Sequence, residues 1–251
     1  MDDKIYGRNP VLEALGSNRE IEKIMIQDGA KHSVISKITA IAKEKKVPFR
    51  FVDKRKLDEL SEGGNHQGVL AFAAAHSYVE VEDILSYARE KGEPPFVVIA
   101  EGLSDPHNLG SIIRTANAAG AHGVIIPKNR SVGLTATVSK VSAGAVEYTR
   151  VARVANISRT IEKLQEEGLW IVGTALEGSV MHYECDLCGA LGVVIGSEGE
   201  GMSRLVREKC DHLVKIPMLG QTESLNASVA AGVLLYEAVR QRIAKKKEGS
   251  K

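Results

Sequence analysis

The sequence predicts an α/β protein with a small N-terminal domain and a larger C-terminal domain built on a parallel sheet. From Phe96 onward, short apolar strands alternate with helices, an order typical of a parallel sheet that helices cover on both faces. Residues 1–75 carry a separate α/β pattern, and the turn-rich segment 76–95 marks the boundary. We therefore expect an N-terminal domain over 1–75, a linker over 76–95 and a C-terminal domain over 96–251.

Composition supports a folded protein and excludes several classes. The chain has 251 residues, of which 43% are hydrophobic and 26% charged, which excludes a disordered or fibrous chain. The net charge of +1 does not by itself indicate a nucleic-acid partner. Three cysteines fit a reducing compartment. The polar start and the lack of an apolar run of about 18 residues predict a cytoplasmic protein with no membrane partner.

Residues 1–75 alternate between helix and strand. Ile21–Ile26 alternates apolar and polar side chains, as a half-buried strand does, whereas the apolar residues of Val34–Ala42 recur at helical spacing. The predicted elements are, in order, a helix over Pro10–Leu15, a strand over Ile21–Ile26, a helix around Val34–Ala42, a strand over Phe49–Val52, a helix over Lys54–Leu60 and a strand over Gly68–Ala75.

Positive charge is concentrated in one stretch of this domain. Lys31–Lys56 contains nine basic residues against two acidic ones, Glu44 and Asp53. Such a stretch can contact RNA phosphates without sequence preference. The alternative is an ordinary solvated helix face.

The C-terminal domain continues the alternation to the end of the chain. Its predicted elements are a strand from Phe96, a helix over Gly110–Ala119, a strand over 122–127, a helix over Ile157–Glu167, strands over 169–176 and 191–196, a helix over Ser203–Cys210, a strand over 212–217 and a helix over Ser224–Ile243. Ligands of parallel sheets bind at the carboxyl ends of the strands. The loops that follow the strands are therefore the candidate sites.

Three loops carry candidate chemistry. Gly102–Gly110 leads into a helix whose N-terminus and Arg114 could bind an anion; the alternative is a surface arginine beside a helix cap. Gly196–Arg204 has three glycines directly after a strand, which permit close backbone approach to a ligand. Its two glutamates favour a neutral or cationic ligand over phosphate, and the alternative is a tight turn. Pro217–Asn226 opens the last helix, with Ser224 or Thr222 as its cap, or is simply a capped, packed helix start.

Two other constellations are weaker. Cys185 and Cys188 have the spacing of a zinc-binding pair, but Cys210 and His212 do not form a matching second pair. The loop after residue 195 also resembles a dinucleotide-binding loop, which would indicate an oxidoreductase, yet Arg204 replaces the third glycine.

The three loops together resemble one known family. Residues 103–126 (LSDPHNLGSIIRTANAAGAHGVII), 191–218 (LGVVIGSEGEGMSRLVREKCDHLVKIPM) and 220–242 (GQTESLNASVAAGVLLYEAVRQR) are similar to the motifs of the SpoU (TrmH-like) branch of the SPOUT RNA methyltransferases, in the same order. YGRNPVLEAL and HQGVLAF resemble the L30e-like substrate-binding domain that precedes this catalytic domain. The most similar branch is the RlmB type, which methylates a guanosine ribose of 23S rRNA.

The resemblance implies a trefoil knot, a homodimer and S-adenosylmethionine as methyl donor, with no metal. By match to the family, the cofactor-binding residues are Thr174, Gly196, Ile216 and Leu225, with Gly173, Ser197 and Met218 beside them. The residues matched to catalysis and substrate orientation are Arg114, Asn108, Glu198, Ser224 and Asn226.

The implied reaction is transfer of a methyl group to a ribose 2′-hydroxyl of RNA. The family assigns activation of the hydroxyl to the arginine that matches Arg114. Because a guanidinium stays protonated in proteins, a phosphate-binding or electrostatic role is physically easier than that of a base. Two alternatives share the motifs: the same chemistry on tRNA, and a non-catalytic RNA-binding ribosome-assembly factor.

Overall fold

A computed structural model of the chain describes residues 3–16, 20–30, 33–73, 76–175 and 180–248. Parts of the predictions above lie outside these ranges, among them Lys31 at the start of the basic stretch, Ala74 and Ala75 at the end of the strand over Gly68–Ala75, and residue 176 at the end of the strand over 169–176. The chain divides into two compact units, Met1–Ser77 with Gly133–Thr137, and Tyr78–Val132 with Val138–Lys251. Within the described ranges, no helix is both long enough and apolar enough to cross a membrane.

The first unit is a three-layer α/β sandwich. Its strands are β1 (Asp3–Tyr6), β2 (Ile21–Gln27), β3 (Phe49–Val52) and β4 (Val69–Ala73), and its helices are α1 (Arg8–Gly16), α2 (Ser33–Glu44) and α3 (Lys54–Ser61). Among the described residues the strand order is β1-β4-β2-β3, and only β2 and β3 run parallel. Val69 and Ala71 of β4 pack with α1 and α2, whereas Leu70 and Phe72 pack with Leu57 of α3. Alternation along β4 thus fills two cores, one on each face.

The second unit is built on a parallel sheet. Its strands are β5 (Phe96–Ala100), β6 (Gly123–Pro127), β7 (Arg150–Val154), β8 (Trp170–Thr174), β9 (Val180–Met181), β10 (Leu191–Ile195) and β11 (His212–Lys215). In the part of the chain that the structure describes, they lie in the order β7-β6-β5-β10-β8-β11-β9, and all pairs are parallel. The predicted fold class is confirmed; the trefoil knot and the L30e likeness stay predictions. Because β10 lies between β5 and β8, the loops after these strands lie at one edge of the sheet.

Helices cover both faces of this sheet. Those described here are α4 (Val81–Glu90), α5 (Pro106–Ala118), α7 (Ile157–Glu166), α8 (Arg204–Lys209) and α9 (Ala227–Glu248). A short helix, α6 (Ala136–Val141), begins in the segment grouped with the first unit. Val97 and Ile99 of β5 share a core cluster with residues of α4, α7 and α8. The alternate residues Val98 and Val193 are also fully buried, and α5 and α9 contact each other and the neighbouring strands. The near-continuous apolar strands therefore have a partner on each side.

The segment predicted as a linker, 76–95, contains a helix, α4. Ile84, Leu85 and Ala88 of this helix are buried, and the first two belong to the core cluster of the second unit. These residues share one helix face, so packing rather than chain connection determines where the helix lies. The second unit consequently starts at Tyr78, well before Phe96.

Other differences from the sequence-based expectation concern edges and caps. The sequence does not predict β1, β7, β9 or α6. β7 is an edge strand in which two arginines interrupt the apolar residues, so it lacks the apolar run that identifies β5. α5 begins at Pro106 and not at Gly110, because the Asp105 side chain caps it. α9 begins at Ala227 and not at Ser224.

Candidate active site

The loop after β10 forms a tight turn at the carboxyl edge of the sheet. Ser197 and Gly201 pair across it through two backbone hydrogen bonds of 3.0 Å. Gly196 has no room for a side chain, since a Cβ there would lie 2.3 Å from the carbonyl carbon of Gly201. Gly199 and Gly201 have φ values of 84° and 68°, which glycine adopts without strain. The three glycines are needed to close the turn, and whether it also contacts a ligand depends on the surrounding cleft.

A cleft of about 610 Å³ lies against this turn, which is a volume typical of small-molecule sites. Six of the seven residues predicted to bind a cofactor line it: Thr174, Gly196, Ser197, Ile216, Met218 and Leu225. Three carboxylates also line it, those of Glu198, Glu200 and Glu223. A lining that combines apolar side chains, glycine backbone and carboxylates suits a ligand with an apolar body and a cationic group.

Gly173, the seventh predicted cofactor residue, is buried and does not line the cleft. A Cβ at Gly173 would lie 2.7 Å from Cε of Met202 and 2.8 Å from Sγ of Cys210. Met202 does line the cleft, so Gly173 contributes by leaving space for the Met202 side chain. Burial raises the pKa of the Cys210 thiol to about 12, which keeps it protonated and makes it a packing group, not a nucleophile.

Side chains from three separate loops meet beside the cleft. Asn226, which follows β11, donates a hydrogen bond from Nδ2 to Oδ1 of Asn108 at 2.9 Å. The same Nδ2 group donates to Oε1 of Glu198 in the glycine-rich loop. Asn108, in α5 after β5, is only 4% exposed. Three of the five predicted catalytic residues are thereby brought together in one hydrogen-bonded group.

Asn226 is also the N-cap of α9. Its Oδ1 accepts hydrogen bonds from N and Oγ of Ser228, at 2.9 and 2.6 Å, and from N of Val229 at 3.3 Å. Because the helix occupies Oδ1, the Nδ2 donor is held toward Asn108 and Glu198. The cap is therefore Asn226, whereas the sequence predicted Ser224 or Thr222.

Arg114 and Ser224 are the other two predicted catalytic residues. Ser224 lines the cleft. Arg114 is exposed, six residues after Asn108 on α5, and does not line the cleft. Among the residues that the structure describes, neither side chain forms a hydrogen bond or an ion pair. The guanidinium of Arg114 is thus available to an anion from solvent.

Glu101 is a further residue of this edge, and the sequence-based candidates omit it. Its Oε2 accepts from the backbone N–H of Ser203 at 3.0 Å, and its Oε1 accepts from Oγ of Ser203 at 2.6 Å. Ser203 is the N-cap position of α8, directly after the glycine-rich turn. Glu101 therefore ties that turn to the end of β5. An acidic residue immediately after an apolar strand is the signal that could have identified it.

No metal centre is visible in the described ranges. They contain no group of three or more His, Cys, Asp or Glu side chains that could hold a metal ion. Cys185, Cys188 and Cys210 are free cysteines, and burial raises the pKa of the Cys185 and Cys188 thiols as well.

Comparisons with known proteins cover both units. Residues 95–236 match the SpoU rRNA Methylase family, and residues 4–79 match the family RNA 2′-O ribose methyltransferase substrate binding. YacO of Bacillus subtilis (strain 168), whose name places it among the TrmH family tRNA/rRNA methyltransferases, is 48% identical over 240 residues, which is 96% of each chain.

Two solved structures share the fold. The AdoMet-bound rRNA methyltransferase from Sinorhizobium meliloti gives a TM-score of 0.60 at 25% identity, covering 92% of this chain and 84% of the other. A structure titled as an RNA 2′-O ribose methyltransferase gives 0.55 at 28% identity, covering 96% and 88%. The loops that form the candidate site all lie within the first family match. This chain therefore belongs to the SpoU (TrmH-like) family of RNA methyltransferases.

Proposed function

We propose that the chain transfers a methyl group from S-adenosylmethionine to a ribose 2′-hydroxyl of RNA, with a guanosine of 23S rRNA as its preferred target. The observation that carries the proposal is the bridge from Asn226 to Asn108 and Glu198, because it joins three loops beside a cleft of cofactor size. The matched substrate-binding family and one related structure are named for RNA 2′-O ribose methylation, which supports ribose as the acceptor.

The residues of the cleft fit S-adenosylmethionine. Gly196 lines the cleft with backbone atoms alone, while Ile216, Met218 and Leu225 offer apolar surface to the adenosine. The lining carboxylates favour a cationic sulfonium. When bound, this cofactor supplies an electrophilic methyl group. The Sinorhizobium meliloti structure contains AdoMet, which supports the assignment.

The chain's own residues bind and orient the acceptor. Arg114 is suited to a phosphate beside the target ribose, since a guanidinium matches phosphate geometry through two parallel hydrogen bonds. We assign it stabilisation of the negative charge that develops on the 2′-oxygen. Asn108, Glu198 and Asn226 hold one another in place and orient the hydroxyl. Ser224, on the cleft wall, completes the set.

The N-terminal unit supplies RNA contact in this proposal. Eight basic residues of the Lys31–Lys56 stretch lie in the described ranges, and all are exposed: Lys37, Lys43, Lys45, Lys46, Arg50, Lys54, Arg55 and Lys56. Exposed lysines and arginines at this density attract a polyanion over a distance set by the ionic strength. The match of residues 4–79 to a substrate-binding family supports assigning substrate choice to this unit as well.

A second copy of the chain is the proposed protein partner. Val229, Tyr236 and Ile243 of α9 are 50%, 52% and 51% exposed. They recur every seven residues, which places them on one side of the helix. An exposed apolar stripe of this kind indicates an interface, and it supports the homodimer that the family resemblance implies. We place the dimer in the cytoplasm, with its RNA substrate.

The test is transfer of labelled methyl from S-adenosylmethionine to unmodified 23S rRNA, with unmodified tRNA in parallel. The expected product is label on the rRNA, recovered as an alkali-resistant 2′-O-methyl dinucleotide. Label on tRNA alone would keep the chemistry and change the substrate. Cofactor binding without transfer to either RNA, or to assembling ribosomal subunits, would favour the non-catalytic assembly factor.

A further inference from the structure

The N-terminal unit contains a second cleft, of about 540 Å³, with a polar lining. The two segments singled out in this domain, YGRNPVLEAL and HQGVLAF, meet at this cleft. Gly7 donates its backbone N–H to the carbonyl of Val69 at 3.2 Å. Arg8 donates from Nε to the carbonyl of Gln67 at 2.9 Å. The start of α1 and the loop before β4 thus form one continuous wall.

The loop before β4 is held in a fixed conformation. His66 is 7% exposed, and its Nδ1 accepts from the N–H of Gly68 at 3.0 Å. The proton of the imidazole is consequently on Nε2, which donates to Oδ1 of Asp58 at 2.9 Å. Gln67 has a φ of 47°, a region that residues with a side chain seldom adopt. The bond from Arg8 helps to hold Gln67 in that conformation.

The cleft presents polar groups that the fold itself does not use. In the described part of the chain, the side chains of Gln27, Lys54 and Asn65 line the cleft without any hydrogen bond or ion pair. Arg8 uses only its Nε in the fold, so both Nη groups face no partner among these residues. The one carboxylate in the lining, that of Asp58, is engaged by His66. The cleft therefore offers a ligand two cationic side chains, those of Arg8 and Lys54, and the carboxamides of Gln27 and Asn65.

We infer that this cleft binds one unstacked nucleotide of the RNA substrate. The guanidinium of Arg8 and the ammonium of Lys54 pair with its phosphate. The carboxamides of Gln27 and Asn65 have both donors and acceptors, as reading the edge of a base requires. The inference rests on the proposed function and adds a defined recognition site to it. Of the described lysines and arginines in the basic stretch, Lys54 alone lines this cleft.

The decisive variant is Lys54→Ala with Asn65→Ala, because neither side chain bonds within the described fold. Binding of unmodified 23S rRNA, transcribed in vitro, is measured by filter binding over a series of salt concentrations. We expect the Kd for RNA to rise about tenfold or more, and the salt dependence to fall by about one counterion. Binding of S-adenosylmethionine and the thermal midpoint should stay at the wild-type values. Arg8→Lys, which keeps the charge but not the planar fork, should weaken binding as well.

The control is Arg159→Ala, which removes an exposed arginine from α7 in the other unit. An RNA Kd of the double variant within twofold of wild type, while methyl transfer persists, would overturn this inference and leave the proposed function standing. Equal weakening by Arg159→Ala would also overturn it, since the effect would then reflect charge alone. If the wild-type chain neither bound nor methylated any RNA, both this inference and the proposed function would be wrong.

Discussion

At the scale of single residues, Asn226 links a helix cap to the candidate active site. The oxygen of its carboxamide accepts hydrogen bonds from N–H groups at the start of α9. The nitrogen of the same carboxamide donates to Asn108 and Glu198. We expect loss of the cap to lower stability and loss of the bridge to lower activity. Because the two functions belong to different atoms, substitutions can separate them.

Asn226→Ser should remove the bridge and keep the cap. A serine hydroxyl can cap a helix but is too short to hold both Asn108 and Glu198. We expect methyl transfer to fall about tenfold to a hundredfold, the effect of losing a hydrogen bond to a charged group, with little change in urea unfolding. Asn226→Ala should in addition lower the free energy of unfolding by about 1 kcal/mol. Full activity of the serine variant would show that the bridge is not needed.

Arg114→Lys tests the proposed phosphate contact. The ammonium keeps the positive charge but cannot form two parallel hydrogen bonds. We expect the rate of methyl transfer to drop at least about tenfold, with unchanged binding of S-adenosylmethionine because Arg114 does not line the cofactor cleft. Arg159→Lys on α7 is the matched control. If Arg114→Lys transferred methyl at the wild-type rate, neither the phosphate role nor the activating role would hold.

At the scale of elements, sequence patterns predicted the centre of the sheet better than its edges. β5 and β10 are buried on both faces, so their side chains had to be apolar throughout. The strands β1 and β7 lie at the ends of their sheets, and their mixed composition carries no comparable signal. The start of α9 was misplaced because Thr222, Ser224 and Asn226 are all good caps. Only the tertiary bonds of Asn226 determine which one is used.

The start of β5 depends on a buried histidine. His122 is 2% exposed, its Nδ1 accepts from the N–H of Phe96 at 2.9 Å, and its Nε2 bonds Glu93 at 3.1 Å. Burial lowers the pKa of His122 from its ordinary value of 6.5, and the carboxylate of Glu93 partly opposes this. A lowered pKa means that the unfolded chain binds the proton more readily. The stabilisation is therefore complete above pH 6.5 and is lost as the pH falls toward the lowered pKa.

Urea unfolding at pH 7.5 and at pH 5.5 tests this contribution. The free energy of unfolding should fall between the two, by no more than about 1.4 kcal/mol per pH unit for one proton. His122→Asn keeps an acceptor for the N–H of Phe96 and does not titrate, so its unfolding should depend less on pH. An identical pH dependence in wild type and variant would contradict the role of His122.

The stripe on α9 gives a prediction about assembly. Tyr236→Glu places a charge among Val229 and Ile243, and burying that charge in an interface is costly. We expect light scattering to show a dimer for the wild type and a monomer for the variant, with unchanged far-UV circular dichroism. Lys245→Glu serves as the control for charge, because Lys245 is exposed on α9 nine residues after Tyr236 and therefore lies on the opposite side of the helix. A wild-type chain that is monomeric in solution would contradict the proposed homodimer.

At the scale of the whole molecule, each unit has its own sheet and core. Local patterns along the chain predicted two α/β domains, and loop residues predicted which side chains form the candidate site. It could not predict that β10 lies between β5 and β8 or that Asn226 bonds Asn108, since these depend on the order of strands in space. The presence of Gly133–Thr137 in the first unit had no local signal either.

Removal of residues 1–77 tests the division of labour. The remaining chain should still bind S-adenosylmethionine and lose its preference for 23S rRNA over tRNA. Leu134, 1% exposed in the complete chain, belongs to the segment grouped with the first unit, so the truncated chain should carry Leu134→Ser to limit aggregation. Isothermal titration measures the cofactor, and transfer to the two RNAs measures selectivity. Undiminished selectivity would mean that the second unit chooses the substrate.

The place of β10 in the sheet has a consequence for synthesis of the chain. β5 and β8 cannot be joined until β10 pairs with both, and Asn226 and Asn108 are 118 positions apart. Contacts of such long range slow folding, because the loop must close before they form. A chain emerging from the ribosome can therefore complete its first unit early but cannot close this sheet before residue 195 is available. The chain therefore becomes able to transfer a methyl group only at the end of its synthesis. A prematurely terminated chain would lack this activity.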